Sequence, residues 1–369
     1  MSKSRIPSDG SKTRSSSVKS EGKSQPKLKS KIESKASSKA EPKANPKADA
    51  KSGSKADLKL DLKAESKSGT KKKASRKAKP SSKAHIKADD GSPIMTEVHR
   101  FIGISLGGGK SDKACVAVME YYPQYKKVFL SRLIEKIKSE ETISADLKIH
   151  EIIDQYHGGV DLVAFDVPFR MPQCVNCVCT CVGYEQCPEP HVRWMWDYTK
   201  KLHKKKKPRK LFTPYTQRCV EMYLSSEIEE PFNLQHAMGA NMAPLLARAM
   251  FITRRLQIPC IEVYPKLSLW RIGRSLQVMK SHLRFHKHAF SGDESRRSIL
   301  HALSTHNVAF VYDQDVKLMI ENNHAFEAFV CALTAFLKFK NMTEPRPEGF
   351  PEREDWIDFP VPTVKWGDL

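Results

Sequence analysis

No phenylalanine, tyrosine, tryptophan or cysteine occurs before Phe101, so any folded core must be built from the residues after it. Residues 1–94 are mostly Lys, Ser and Ala, with 26 Lys and Arg against 10 Asp and Glu. Of the net charge of +21 on the 369 residues, +16 lies there and only +5 on the remaining 275. Such a segment buries too little apolar surface to offset its chain entropy, which predicts a disordered basic tail over 1–94. Two readings of the tail stay open: affinity for nucleic-acid phosphates through counterion release, or a solvated leader with no partner. The folded pattern begins so sharply at Met95 that this residue is a candidate start, giving a folded region over 95–369.

The longest apolar stretch, residues 242–252, is interrupted by Arg248 and is too short to span a bilayer. The N-terminus lacks the apolar core of a secretory signal. All nine Cys follow the tail, and five crowd into 174–187, a distribution expected of a reducing compartment rather than a secreted disulfide framework. The expectation is a cytoplasmic protein without a membrane partner, associated with nucleoid or chromatin if the tail binds nucleic acid.

Periodicity divides the rest. Short, mostly apolar segments predict strands over 101–106, 114–122 and 127–134, arranged as a meander. Apolar residues at helical spacing predict a helix over 145–156, stopped by Gly158-Gly159. The apolar run 160–165 predicts a strand buried on both faces. Helix 242–256, strand 260–264, strand 308–312 and helix 325–340 complete an α/β arrangement.

Six blocks carry a specific resemblance: FIGISLGGGKSDK (101–113), FDVPF (165–169), PYTQR (214–218), GANMAPLLARA (239–249), EVYPKLSLW (262–270) and HAFEAFVCALTA (324–335). In order and spacing they resemble the domain-of-unknown-function 429 family, described as ribonuclease-H-like nucleases, over roughly residues 98–340. The resemblance implies a ribonuclease-H-like mixed sheet, three antiparallel strands followed by parallel ones, flanked by helices. It also implies carboxylates at strand ends and on a late helix that hold Mg²⁺ or Mn²⁺ for phosphodiester hydrolysis.

Three carboxylates fit that role as catalytic residues and metal ligands. Asp166 closes a buried strand, where ligands collect in α/β sheets; capping a loop is the alternative. Glu262 interrupts an apolar strand and needs a cation there, with Lys266 as an alternative partner. Glu327 lies near the start of the last helix, one turn after His324, where a capping role is the alternative. The first strand departs from the family pattern, because Ser105 occupies the position of its Asp and brings no charge to a hard cation. Asp112, beyond the glycine turn, is the only nearby substitute. A catalytically inactive nucleic-acid-binding relative is therefore the second reading, and a small-molecule phosphotransferase a third. Gly107-Gly108-Gly109-Lys110-Ser111 lacks the first glycine of a P-loop; a tight strand turn explains it.

Cys174, Cys177, Cys179, Cys181 and Cys187 form an insertion together with a basic segment, about 171–212. Four thiolates close a tetrahedral Zn²⁺ site, read here as Cys174, Cys177, Cys187 and Cys181 (or Cys179); disulfides, free thiols and an iron–sulfur cluster remain open. Lys204, Lys205, Lys206, Lys207 and Arg209, with Lys110 and Arg218, are the candidate contacts to DNA or RNA phosphates. Trp194, Trp196 and Tyr198 are candidates for base stacking; a core-facing helix and a solvated loop are the alternative.

Overall fold

β1 (His99–Leu106) is apolar on both faces, with Phe101 on one and Ile102, Ile104 and Leu106 on the other, and this places it inside a sheet rather than at its edge. The computed structural model describes residues 97–108, 112–204, 212–228, 234 and 236–368, all within the unit Ile86–Leu369. β1 pairs antiparallel with β2 (Ala114–Tyr122), which pairs antiparallel with β3 (Lys127–Ile137). On its other side β1 runs parallel to β4 (Leu162–Phe165), followed by the parallel strands β5 (Cys260–Val263) and β6 (Ile357–Asp358). The order β3-β2-β1-β4-β5-β6 is the expected mixed sheet, three antiparallel strands and then parallel ones. The expectations for residues 1–94, Lys110, Lys205, Lys206, Lys207 and Arg209 lie outside the described residues.

One face of the sheet is covered by α1 (Ala145–Asp154) and α4 (Ala243–Thr253). Ser144 starts α1, its hydroxyl accepting the Leu147 N–H at 3.1 Å. The other face packs on α9 (Asn323–Phe339), where Phe326, Phe329, Val330 and Leu333 are all buried. Beside α9 lie α5 (Pro265–Ser275) and α8 (Asp313–Glu321), with α6 (Lys280–Phe285) and α7 (Gly292–Thr305) next to them, while α2 (Pro190–Lys204) and α3 (Cys219–Glu227) pack on each other.

Gly103 sets how close α9 comes. A Cβ there would lie 2.0 Å from the Ala328 carbonyl oxygen and 2.3 Å from the Ala332 nitrogen. Only glycine lets this helix lie directly on β1, and that contact brings the start of α9 over the end of β1.

Two expectations are corrected. Residues 308–312 are not a strand: Phe310 alone bridges to β3, its N–H donating to Val128 O at 2.8 Å and its carbonyl accepting from Leu130 at 2.9 Å. The chain then turns away, because Tyr312 caps α8. β6 was not anticipated, since two residues leave no periodicity to read. No helix among the described residues is long and apolar enough to cross a membrane.

Candidate active site

The alternation of β1 puts Phe101, Gly103 and Ser105 on the α9 face, and the same period puts Ala164 and Asp166 there at the end of β4. Ser105 is fully buried. Its hydroxyl donates to Asp166 Oδ2 at 2.5 Å and lies 2.9 Å from His324 Nδ1. The Leu106 N–H donates to Asp166 Oδ1 at 3.0 Å, so both carboxylate oxygens are held.

Asn322 begins α9 by accepting the N–H groups of His324 and Ala325 on its side-chain oxygen. His324 and Glu327 then stand one turn apart above Asp166, with ligand atoms of all three within 4.8 Å of one another. Asn323 Nδ2 donates to Glu327 Oε2 at 2.9 Å, and the Lys287 ammonium pairs with Oε1. The structure thus brings Asp166 and Glu327 together, with His324 beside them. These side chains open into a cavity of about 600 Å³, also lined by Tyr264, Lys266 and Lys287.

Burial, followed by the negative Glu327, raises the Asp166 carboxyl to about 7, against hydrogen bonds from Ser105 and Leu106 that favour its charge. Burial opposes the charge on Lys287, but Glu327 outweighs it and holds the ammonium above its ordinary pKa. With Asp166 ionised, Ser105 donates to it, so His324 Nδ1–H donates to Ser105 and leaves the Nε2 lone pair free. Two carboxylates and an imidazole form a donor set suited to a divalent cation. The nitrogen donor suits Mn²⁺ better than Mg²⁺.

Glu262 is not brought to this group. Ile261 and Val263 pack toward α9, so Glu262, with Cys260, points to the opposite face. It is 3% exposed, and both its oxygens accept from Arg218 at 2.6 Å. Arg218, rather than Lys266, is its partner. Arg218 is itself 2% exposed, and its Nε donates to Glu221 at 2.8 Å. A guanidinium so enclosed, with three of its N–H groups already on carboxylates, is not open to a phosphate, so both residues belong to a buried ion pair joining the start of α3 to β5.

Asp112 does not reach back to Ser105 either. Its carboxylate accepts from Ser139, while Arg248 donates to the carbonyls of Asp112 at 2.6 Å and Lys113 at 2.8 Å and to Asp146 at 2.8 Å. Arg248 thereby fixes the β1–β2 turn, which Gly107 closes with its N–H on Lys113 O at 2.8 Å. Trp194 stacks on Tyr198 at 4.8 Å, and Trp196 meets Phe212 edge-on at 4.9 Å. These rings are used on one another. Lys204 ends α2 exposed.

A second group of ligating atoms lies in the cysteine insertion, where Cys177, Cys179 and Glu189 come within 4.8 Å of one another. Cys181 and Cys187 are close to each other and to Cys174, and every Cys is a free thiol. Lys287, Glu189 and Arg248 were missed as structural or ligating residues in the sequence; none carries a local signature.

A mixed α/β sheet with two carboxylates and a histidine converging where a parallel strand ends defines the class: a mixed α/β protein with a candidate metal centre. The chain belongs to the DUF429 family, described as "Protein of unknown function (DUF429)", whose model matches residues 134–340, more than half the chain. The match begins within β3, so the block around Ser105 lies outside it. No curated protein and no solved structure matches the chain.

Proposed function

We propose that the Asp166 cavity cleaves phosphodiesters of nucleic acid with one divalent cation, Mn²⁺ before Mg²⁺. The observation that carries this is the convergence of Asp166, Glu327 and His324 on one another, with the buried hydroxyl of Ser105 holding Asp166 and His324. Asp166, Glu327 and His324 would hold the cation, which when bound supplies Lewis-acid charge to a phosphoryl oxygen. The residues of the chain do the rest. Ser105 fixes the Asp166 carboxylate and the His324 ring. Asn323 and Lys287 hold Glu327.

The anionic substrate has complementary groups on the opposite wall. The first turns of α4 and α5 line the cavity through Met242, Pro244, Pro265 and Lys266. The positive N-terminal ends of these helices and the lysines attract phosphate. A volume of about 600 Å³ admits a nucleotide or the end of a single strand, not a duplex. Lys204 at the end of α2 remains a candidate for contacts further along a strand.

The inactive-binder reading keeps one specific observation in its favour: Ser105 lacks a charge, and Lys287 already neutralises Glu327. Incubating the whole chain with a single-stranded oligonucleotide and Mn²⁺ separates the two. Cleavage lost at least about 100-fold in Asp166→Asn supports hydrolysis. Binding with no cleavage, unchanged by that substitution, supports the inactive binder. Separately, the soft donors of the cysteine insertion make Zn²⁺ the cation proposed there.

A further inference from the structure

Residues 171–189 contain no strand and no α-helix, only single turns at Gln173–Asn176 and Tyr184–Gln186. Of the whole stretch only Pro172 and Cys187 are buried, while Val178 and Val182 are fully exposed. A segment of this length without a core of its own requires another constraint to hold one conformation. Five thiols in it, none paired in a disulfide, supply the means.

His191, in the first turn of α2, is the second and independent observation. It is 6% exposed, and neither Nδ1 nor Nε2 has a hydrogen-bond partner among the described residues. A buried imidazole with both nitrogens unsatisfied is rare and requires an explanation. It lines a cavity of about 180 Å³ together with Cys174, Cys177 and Glu189. On the same cluster, Cys179 Sγ donates to Glu189 Oε1 at 3.4 Å, and the Cys179 N–H donates to Cys177 Sγ at 3.4 Å. The first contact places a thiol proton where a cation would bridge sulfur and oxygen. The second is a backbone donor that stabilises a thiolate.

We infer that the insertion carries a mixed-donor Zn²⁺ site formed by Cys177, Cys179, Glu189 and His191, not a four-thiolate site. This rests on the assignment of Zn²⁺ to the insertion and goes beyond it in naming the ligands. Cys177, Cys179 and Glu189 already bring their ligand atoms within 4.8 Å of one another, and the His191 ring, outside that trio but on the adjoining cavity, is the fourth donor the cation would draw in, the number a structural Zn²⁺ requires. The site joins the insertion to α2, so that two ligands come from the loop and two from the start of the helix. Cys181, exposed and beside Cys187, lies near Cys177 and Cys174 but is not among the ligand atoms that cluster within 4.8 Å, and is left outside the site.

Cobalt titration of the reduced full-length chain tests this, since Co²⁺ bound by thiolates shows sulfur-to-metal charge transfer whose intensity counts the sulfurs. The expected result is one equivalent with the intensity of two sulfurs, displaced by Zn²⁺. His191→Gln and Glu189→Gln should each weaken binding by about 100-fold or more, beyond the range typical of outer-shell changes. Cys181→Ser, at an exposed position, should leave it unchanged. A four-sulfur intensity that is insensitive to His191→Gln and Glu189→Gln, or lost in Cys181→Ser, overturns the ligand set while leaving Zn²⁺ in the insertion. No thiolate charge transfer with all thiols reduced overturns both.

Discussion

Ser105 on β1 donates a 2.5 Å hydrogen bond to Asp166 at the end of β4, joining two adjacent parallel strands at the point where α9 crosses them. A hydroxyl thus occupies the place where a third carboxylate would stand. With both carboxylates ionised, Asp166, Glu327 and the Lys287 paired with Glu327 carry one net negative charge, which one divalent cation converts to positive.

Replacing that hydroxyl is the first consequence. Ser105→Asp places a third buried carboxylate against Asp166 and Glu327, so without cation the protein should lose about 2–4 kcal/mol, as expected for an uncompensated buried charge. Mn²⁺ should restore most of the loss. Thermal unfolding with and without 1 mM-range Mn²⁺ checks this, and a loss that Mn²⁺ does not relieve would place the cation elsewhere.

Lys287 competes with the cation for Glu327. Lys287→Met should lower stability by about 1 kcal/mol, a modest amount because the ammonium is half exposed. It should also tighten Mn²⁺ binding by roughly tenfold, the effect of removing one nearby positive charge. Calorimetric titration reads the affinity; weaker binding in the variant would make Lys287 a supporter of the cation instead.

The pH dependence has a definite sign. Asp166 is raised from 3.8 to about 7 in the folded chain, so the folded state holds a proton that the unfolded state has lost. Without cation, stability should therefore fall as pH rises from about 4 to 7, while Mn²⁺ affinity climbs over the upper part of that window. Asp166→Asn should flatten the stability profile. A Mn²⁺ affinity that is constant from about pH 5.5 to 8 would be inconsistent with a cation held by this carboxylate.

Glu262 separates the buried ion pair from the site. Glu262→Gln leaves the Arg218 guanidinium underpaired and should destabilise the protein by about 3–5 kcal/mol. Mn²⁺ affinity of the folded protein should stay within about twofold, because the residue faces the other side of the sheet. Urea unfolding and Mn²⁺ titration on the same variant give the two numbers.

Gly103→Ala tests how the site is assembled. The added methyl meets the backbone of α9 at Ala328 and Ala332, which cannot rotate away. Loss of about 1–3 kcal/mol is expected from overpacking, with weaker Mn²⁺ binding as His324 and Glu327 shift from Ser105. Unchanged affinity in a destabilised variant would show that the helix position is not what sets the site.

Much of this was legible in the residues. β4 is marked by an unbroken apolar run, β1 and β2 by short, mostly apolar segments, and α9 by a stripe at helical spacing, so Asp166 and Glu327 fell where an apolar segment ends or begins. Glu262 was misplaced because a charged residue in an apolar strand signals only that a partner exists. Its partner, Arg218, lies 44 residues away on α3, and which face carried the site depended on the sheet. Lys287 follows α6 in a stretch without periodicity, where its position comes from packing alone. His191 carries no signal in the sequence, since nothing local shows that both its nitrogens become buried.

The most direct measurement is the anomalous scattering of Mn²⁺ in crystals of the whole chain. The expected peak lies between Asp166, Glu327 and the Nε2 of His324, with the Lys287 ammonium moved off Glu327. Full occupancy elsewhere, with Ser105, Asp166 and Glu327 unchanged and no peak between them, would contradict the proposed metal centre.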